Sequence, residues 1–397
     1  MDSKSNPHIL LDKIYKTVIT SPKAPFTPSL FEGSLSETLF VTCFDYICNN
    51  EEASETTISS ICNLFSYVQE SLQSRGVFHT FYSGSYGALW LLKYIEKQTN
   101  FIELDEETNS IFSNYCLKSA IANFKEGHFD LFIGGIGNSM YLLEAGEAEM
   151  LSYIKNTLYR NAIKNSKGNL VWSSQLLDGS NELGEYLGLA HGAASILVFY
   201  TNLSKHQKNH DADLEDICDK IIKNILSHKR RNNIALFPSQ VSENSQYQNE
   251  RLAWCHGDLG IAAAIFNAGV TFENDEWLNE AYDILYHIYS KRNNLEENGI
   301  HDANICHGAA GVAHIFNKVH QYSKIPDFKS ATDLWIDHTL SFAKYHDGIA
   351  GFKTFDNEKG FINSTGLLTG VSGVGLVLLS YLYPERINSW DRCLLLS

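Results

Sequence analysis

The sequence predicts an all-α fold, an α/α toroid of seven αα-hairpins with inner and outer rings of helices and a small strand-containing insertion. Three observations lead there. A glycine turn, Gly-x-x-Gly or a close relative, recurs at Gly33, Gly84, Gly134, Gly192, Gly257, Gly308 and Gly370, at spacings of 51, 50, 58, 65, 51 and 62 residues. After nearly every turn comes an apolar segment rich in Ala, Gly and Leu, and before each lies a more charged, amphipathic stretch. A repeat of 50–65 residues suits two antiparallel helices, one buried all round and one buried on a single stripe.

The elements follow in order. His8 to Val18 is the outer helix before the first and weakest turn, Gly33-Ser-Leu-Ser36, within Pro28-Ser-Leu-Phe-Glu-Gly33. Gly84–Gly87 precedes Ala88-Leu-Trp-Leu-Leu, Gly134–Gly137 precedes Ser139-Met-Tyr-Leu-Leu, and Gly192 opens Ala193-Ala-Ser-Ile-Leu. Gly257–Gly260 leads into Ile261-Ala-Ala-Ala-Ile, and Gly308–Gly311 into Val312-Ala-His-Ile. The clearest outer helix is Trp277 to Lys291, where Trp277, Ala281, Ile284, Leu285 and Ile288 share one face. Phe361 to Pro384 carries no charge, but its glycines leave only Val371 to Tyr383 continuously helical. A bilayer needs ~20 residues, so this reads as a buried core helix. Two segments interrupt the repeat: 165–186, strand-like around Asn169-Leu-Val-Trp-Ser-Ser, and the polar loop 230–250. Residues 1–397 are expected to form one domain, with both segments beside the mouth where the glycine turns converge.

A net charge of −15 excludes a nucleic-acid binder, which needs a basic face, and docking on anionic membranes. Eight cysteines in 397 residues are too sparse for a disulfide scaffold. The N-terminus, Met1-Asp-Ser-Lys-Ser-Asn-Pro, has no apolar h-region. A reduced, cytoplasmic protein is expected.

The chemistry concentrates at the turns. Trp254-Cys255-His256-Gly257 and Ile305-Cys306-His307-Gly308 are near copies 51 residues apart, each placing a thiol and an imidazole before a helix N-terminus. Thiolate and imidazole are the preferred zinc ligands, and three of them with one open position describe a catalytic site. Cys255, Cys306 and one histidine make such a set. Asp130, His191 and Arg251 stand at or near other turns. A glycosidase would need two opposed carboxylates, and these turns offer Cys and His instead.

Asp130, Leu189-Ala-His-Gly192, Trp254-Cys-His-Gly257 and Cys306-His-Gly308 together resemble the signature of the lanthionine synthetase C-like proteins, the LanC cyclases, over almost the whole chain. The resemblance implies an α/α toroid with Zn2+ held by Cys255, Cys306 and His307. It implies thioether ring closure in a precursor peptide whose Ser and Thr have been dehydrated, with a separate dehydratase, an exporter, and membrane association only through such partners. His191, Asp130 and Arg251 match the family's acid/base and supporting groups. The other reading is a LanC-like protein that binds glutathione or peptides without cyclising them. His256 departs from the tyrosine of many bacterial cyclases, and its role stays open among hydrogen bonder, proton shuttle and core histidine.

The expected reaction adds a Cys thiolate to dehydroalanine or dehydrobutyrine. A free thiol of pKa ~8.5 is only a few per cent thiolate at neutral pH, and zinc coordination removes that limit. His191 then delivers a proton to the enolate, Asp130 orients its ring, and Arg251 stabilises the enolate oxygen. His79, His128, His301 and His314 read as structural, and Trp254 as packing behind the metal.

Overall fold

The structure is a computed structural model that describes residues 6–21, 25–73, 79–176, 182–206, 211–231, 233–242, 246–247, 251–386 and 389–397. Helices alternate between the two expected kinds: α1 (Pro7–Thr20) and α2 (Ser34–Cys48), α3 (Glu55–Gln73) and α4 (Ser85–Gln98), α5 (Glu106–Lys125) and α6 (Gly135–Ala145), α7 (Ala148–Tyr159) and α8 (Ala193–Lys205). The series continues with α9 (Ala212–Ser227) and α10 (Asp258–Thr271), α11 (Asp275–Lys291) and α12 (Ala309–Ser323), α13 (Pro326–Ser341) and α14 (Val371–Leu382). The odd-numbered helices bury one stripe. In α11 the stripe is Trp277, Leu278, Ala281, Ile284, Leu285 and Ile288, the face expected from the sequence with Leu278 added. The even-numbered helices are buried nearly all round, as in α14, where every residue from Val371 to Ser380 is buried. No described helix is long and apolar enough to cross a membrane.

All seven glycines of the repeat cap the N-terminus of an even-numbered helix, and none is helped by a side-chain cap. Gly84 and Gly257 stand at φ +115° and +74°, where a Cβ is strained. The second glycine has a different role. A Cβ at Gly87, Gly260, Gly311 or Gly373 would run into the carbonyl oxygen of Phe81, Trp254, Ile305 or Leu367, each six residues earlier. The turn therefore folds back onto the first turn of its own helix.

Helix pairing differs from the simple expectation in one respect. Within the compact units, α8 packs on α9, α10 on α11 and α12 on α13, whereas α9 has little contact with α10 and α13 little with α14; α5 and α6 pack on each other across their glycine turn, as expected. Only residues 272–274 separate α10 from α11 and 324–325 separate α12 from α13, which suits antiparallel neighbours, although the equally short link 146–147 leaves α6 and α7 with little contact. The long links are the ones that carry the glycine turns.

Two compact units can be distinguished, Met1–Asp105 with Ile300–Trp390, and Glu106–Gly299 with Asp391–Ser397. In the first, the earliest and latest repeats meet. Phe31 O accepts from the N–H groups of Leu367 (2.7 Å) and Leu368 (3.1 Å), and α14 packs against α1 and α2. A hairpin of β7 (Thr354–Asp356) and β8 (Gly360–Ile362), unforeseen in the sequence, belongs to this unit. In the second, the chain end is anchored by Trp254 Nε1 donating to Leu394 O at 3.0 Å, and by Arg392 on Glu144 at 2.7 Å.

The expected strand-bearing insertion is present in the second unit as β1 (Ile163–Lys164), β2 (Leu170–Val171), β3 (Ser174–Gln175) and β4 (Leu183–Tyr186). The segment 230–250 is more than a loop: β5 (Gln240–Val241) pairs antiparallel with β4, Glu185 opposite Val241, and β6 (Gln246–Tyr247) pairs with β5. Its polar sequence concealed a strand whose backbone groups are satisfied by the neighbouring insertion. Residues 177–181, 232, 243–245 and 248–250 of these segments lie outside the described residues.

Candidate active site

In the second unit, the turns before α6, α8 and α10 stack backbone to backbone. Leu131 N donates to Ala190 O (3.4 Å), Ala190 N donates to Cys255 O (3.1 Å), and Gly188 lies so close to Cys255 and His256 that a Cβ would strike their backbone. This stacking brings Asp130, His191, Cys255 and His256 to one side. Asp130 has both carboxylate oxygens engaged. Its Oδ1 caps the turn, accepting from Phe132 N (2.6 Å) and Ile133 N (2.9 Å), while its Oδ2 forms a short hydrogen bond with His191 Nδ1. That bond leaves Nε2 as the ring nitrogen available for proton exchange. Phe132 stands edge-on to the imidazole at 5.3 Å, with Tyr186 at 6.1 Å.

The electrostatics keep His191 a proton carrier. Burial pulls its pKa down, but the Asp130 hydrogen bond and charge, with a smaller contribution from Cys255, leave it above the usual imidazole value. The side chain is still 37% exposed, so a substrate can reach it.

Cys255 and His256 pair with each other, Sγ to Nδ1 at 3.0 Å. His256 Nε2 is buried and has no hydrogen-bond partner among the described residues. Trp254 is fully buried, its ring centroid 6.0 Å from that of Phe132. Arg251 is half-buried, its side chain lying over Gly299, and Leu252 N is fixed to Asn298 O at 3.1 Å.

In the first unit, Cys306 and His307 occupy the turn before α12. Ile305 N and Cys306 N both donate to Leu368 O, at 3.0 and 3.1 Å. Asn304 Oδ1 accepts from His307 N at 3.0 Å, and its Nδ2 lies 3.4 Å from His307 Nδ1. Buried Asp302 supports Asn304 N (3.0 Å) and Phe355 N (2.8 Å). Glu32 accepts from Thr369 N at 3.0 Å and from its hydroxyl at 2.6 Å. Burial pushes its carboxyl up to about 7 despite the lowering effect of these bonds. Burial, with the nearby Glu32 and Cys306, raises the Tyr82 hydroxyl to about 12.

The donor types at the two Cys-His turns fit zinc. Cys255 and Cys306 are half-buried, outside any disulfide, and held by backbone hydrogen bonds at helix N-termini. Among the described residues, no three Cys, His, Asp or Glu side chains gather as a ready metal-binding group.

The four other histidines follow expectation in part. His314 is buried against Trp390, His301 packs on Phe355, and His79 Nδ1 accepts from Ser85 N at 3.3 Å. His128, by contrast, is largely exposed beside Glu126, and His301 is exposed too. Residues missed from the sequence are the buried polar supports Asp258, Arg292, Asn298, Asp302 and Asn304. One carried a readable signal: Arg292 continues the 277–281–284–288 stripe of α11 by four residues, a charge where the pattern calls for an apolar side chain.

A family model described as lanthionine synthetase C-like protein matches residues 24–395. The nisin biosynthesis protein NisC of Lactococcus lactis subsp. lactis is 24% identical over 378 residues, covering 87% of this chain and 84% of that protein. Among solved structures, a nisin cyclase superposes with a TM-score of 0.69 at 20% identity, covering 98% of this chain and 96% of the other. The fold is thus the α/α toroid that the glycine repeat predicted.

Proposed function

The chain belongs to the lanthionine synthetase C-like family, and on that premise we propose that it is a zinc-dependent lanthionine and methyllanthionine cyclase. Its substrate is a dehydrated, cysteine-containing precursor peptide, supplied by a separate dehydratase, modified in the cytoplasm and passed to an exporter. The observation that carries the reading is the Asp130–His191 pair set beside Cys255, a proton donor next to a thiol. The nisin cyclase likeness supports the same class of activity.

Cys255, Cys306 and His307 would hold the metal, which supplies a substrate thiol in its nucleophilic, deprotonated state. Addition to the β-carbon of a dehydro residue develops negative charge on the neighbouring carbonyl oxygen and α-carbon. His191 is equipped to deliver the proton to that carbon: Asp130 holds Nδ1, fixes the tautomer and stabilises the protonated ring. Phe132 and Tyr186 bound the approach to the imidazole and restrict the face from which the proton arrives. Arg251 would stabilise the oxygen charge. His256, whose Nδ1 is engaged with Cys255, would act through that thiol.

The test is incubation of the purified protein with zinc and a dehydrated precursor, followed by thiol alkylation and mass spectrometry. Loss of alkylatable cysteines without change in mass is the expected result. Thiols that persist at the level of an enzyme-free control would exclude cyclase activity.

A further inference from the structure

Arg251, Cys255 and His256 fall within eight consecutive residues, Arg251 to Asp258, and one buried guanidinium is bonded to one end of that stretch and linked through Asn298 to the other. Arg292, at the C-terminal cap of α11, is 1% exposed. Its Nη1 donates to Asp258 Oδ2 at 2.8 Å, and its Nε donates to Asn298 Oδ1 at 2.9 Å. Asp258 is fully engaged as well, since its carboxylate also accepts from Leu236 N (2.9 and 3.1 Å) and Phe237 N (3.0 Å). At the other end, Asn298 O holds Leu252 N, and Gly299, at φ +62°, lies beneath the Arg251 side chain. Asn298 Nδ2 closes the loop on Asn294 O at 2.6 Å. Between the two anchors, Gly257 at φ +74° is the pivot from which Cys255 and His256 emerge.

We propose that Arg292 is a positioning residue, which through Asp258 and Asn298 fixes where Arg251 and the Cys255–His256 pair stand in the site. A buried ion pair contributes little net stability against an apolar replacement, and its best-attested use is to specify one arrangement. The forked guanidinium suits that use here, because it serves two acceptors at once where an ammonium acts as a point charge. The role of Arg292 in catalysis rests on the cyclase reading, but its control of Arg251 does not.

Arg292→Ala would strand Asp258 in the core, so the informative variants are Arg292→Lys, which keeps the charge, and Asn298→Ala, which leaves the ion pair intact. The first readout is the arginine Nε–H NMR spectrum of the whole protein, with the Arg251 signal assigned by its loss in Arg251→Ala. Both variants should shift or broaden that signal while circular dichroism stays unchanged. The second readout is kinetic. Arg292→Lys should lower kcat about 10-fold with KM within about twofold, and the further loss should be clearly smaller than 10-fold in Arg251→Ala, where the part that acts through Arg251 is already gone. An Arg251 signal unmoved in both variants, or rate losses that multiply, would overturn the inference. Wild-type protein that closes no thioether ring would overturn the cyclase reading instead, and the NMR result alone would then decide the role of Arg292.

Discussion

Asp130 joins two tasks in one carboxylate, capping a turn with Oδ1 and holding His191 with Oδ2. Asp130→Asn keeps the capping oxygen but removes the charge that raises the imidazole pKa. A histidine acting as acid must be protonated, so activity falls as pH rises through its pKa. In the variant, the alkaline limb of the pH–kcat profile should move to lower pH, with kcat reduced about 10²–10⁴-fold, read from initial rates between pH 5 and 9. Cys306→Ala tests a different residue by a different readout. Metal analysis of purified protein should show zinc in wild type and none, or much less, in the variant, and undiminished zinc would contradict the ligand set. These residues were legible because Cys, His and Asp recur beside glycines. Asn304 and Asn298 were not, since a lone asparagine in a loop looks the same whether it supports a histidine or faces water.

The seven glycine turns are where sequence and element agree most closely, and they were readable because close backbone approach admits so few residue types. Gly311→Ala should therefore destabilise the protein, as the new Cβ meets the Ile305 carbonyl on the turn that carries Cys306. A loss of about 1–3 kcal/mol is expected from such overpacking, measured by urea denaturation. Elements held together by distant partners were not readable. β5 has two residues and exists because β4 satisfies it, and no pattern within the helices says which neighbour each one pairs with. β4 also carries Glu185, buried against Asn224, with its carboxyl pushed up to about 7 by burial. Because the folded state holds that proton longer than the unfolded chain, stability falls as pH rises from about 4.5 to 7 and stays reduced above it. Glu185→Gln should remove this dependence and raise unfolding free energy at pH 8 by up to about 3 kcal/mol. Denaturation at pH 5 and pH 8 checks the sign: the variant should gain at pH 8 far more than at pH 5.

At the scale of the whole molecule, the family match from residue 24 to 395 agrees with a repeat that begins at Gly33 and ends at Gly373. If one metal draws ligands from the turns before α10 and α12, it links segments distant in sequence, and its removal should be felt globally. Chelation should lower the wild-type melting temperature and leave Cys306→Ala, already lacking a ligand, unchanged. On the proposed function, this chain closes thioether rings with a proton delivered from one face by His191. The most direct measurement is the cyclisation of a dehydrated precursor in D2O, followed by hydrolysis and chiral analysis of the lanthionine. One deuterium at each newly formed α-carbon and a single diastereomer are expected, with His191→Asn far slower. A mixture of diastereomers formed no faster than without enzyme would contradict that function.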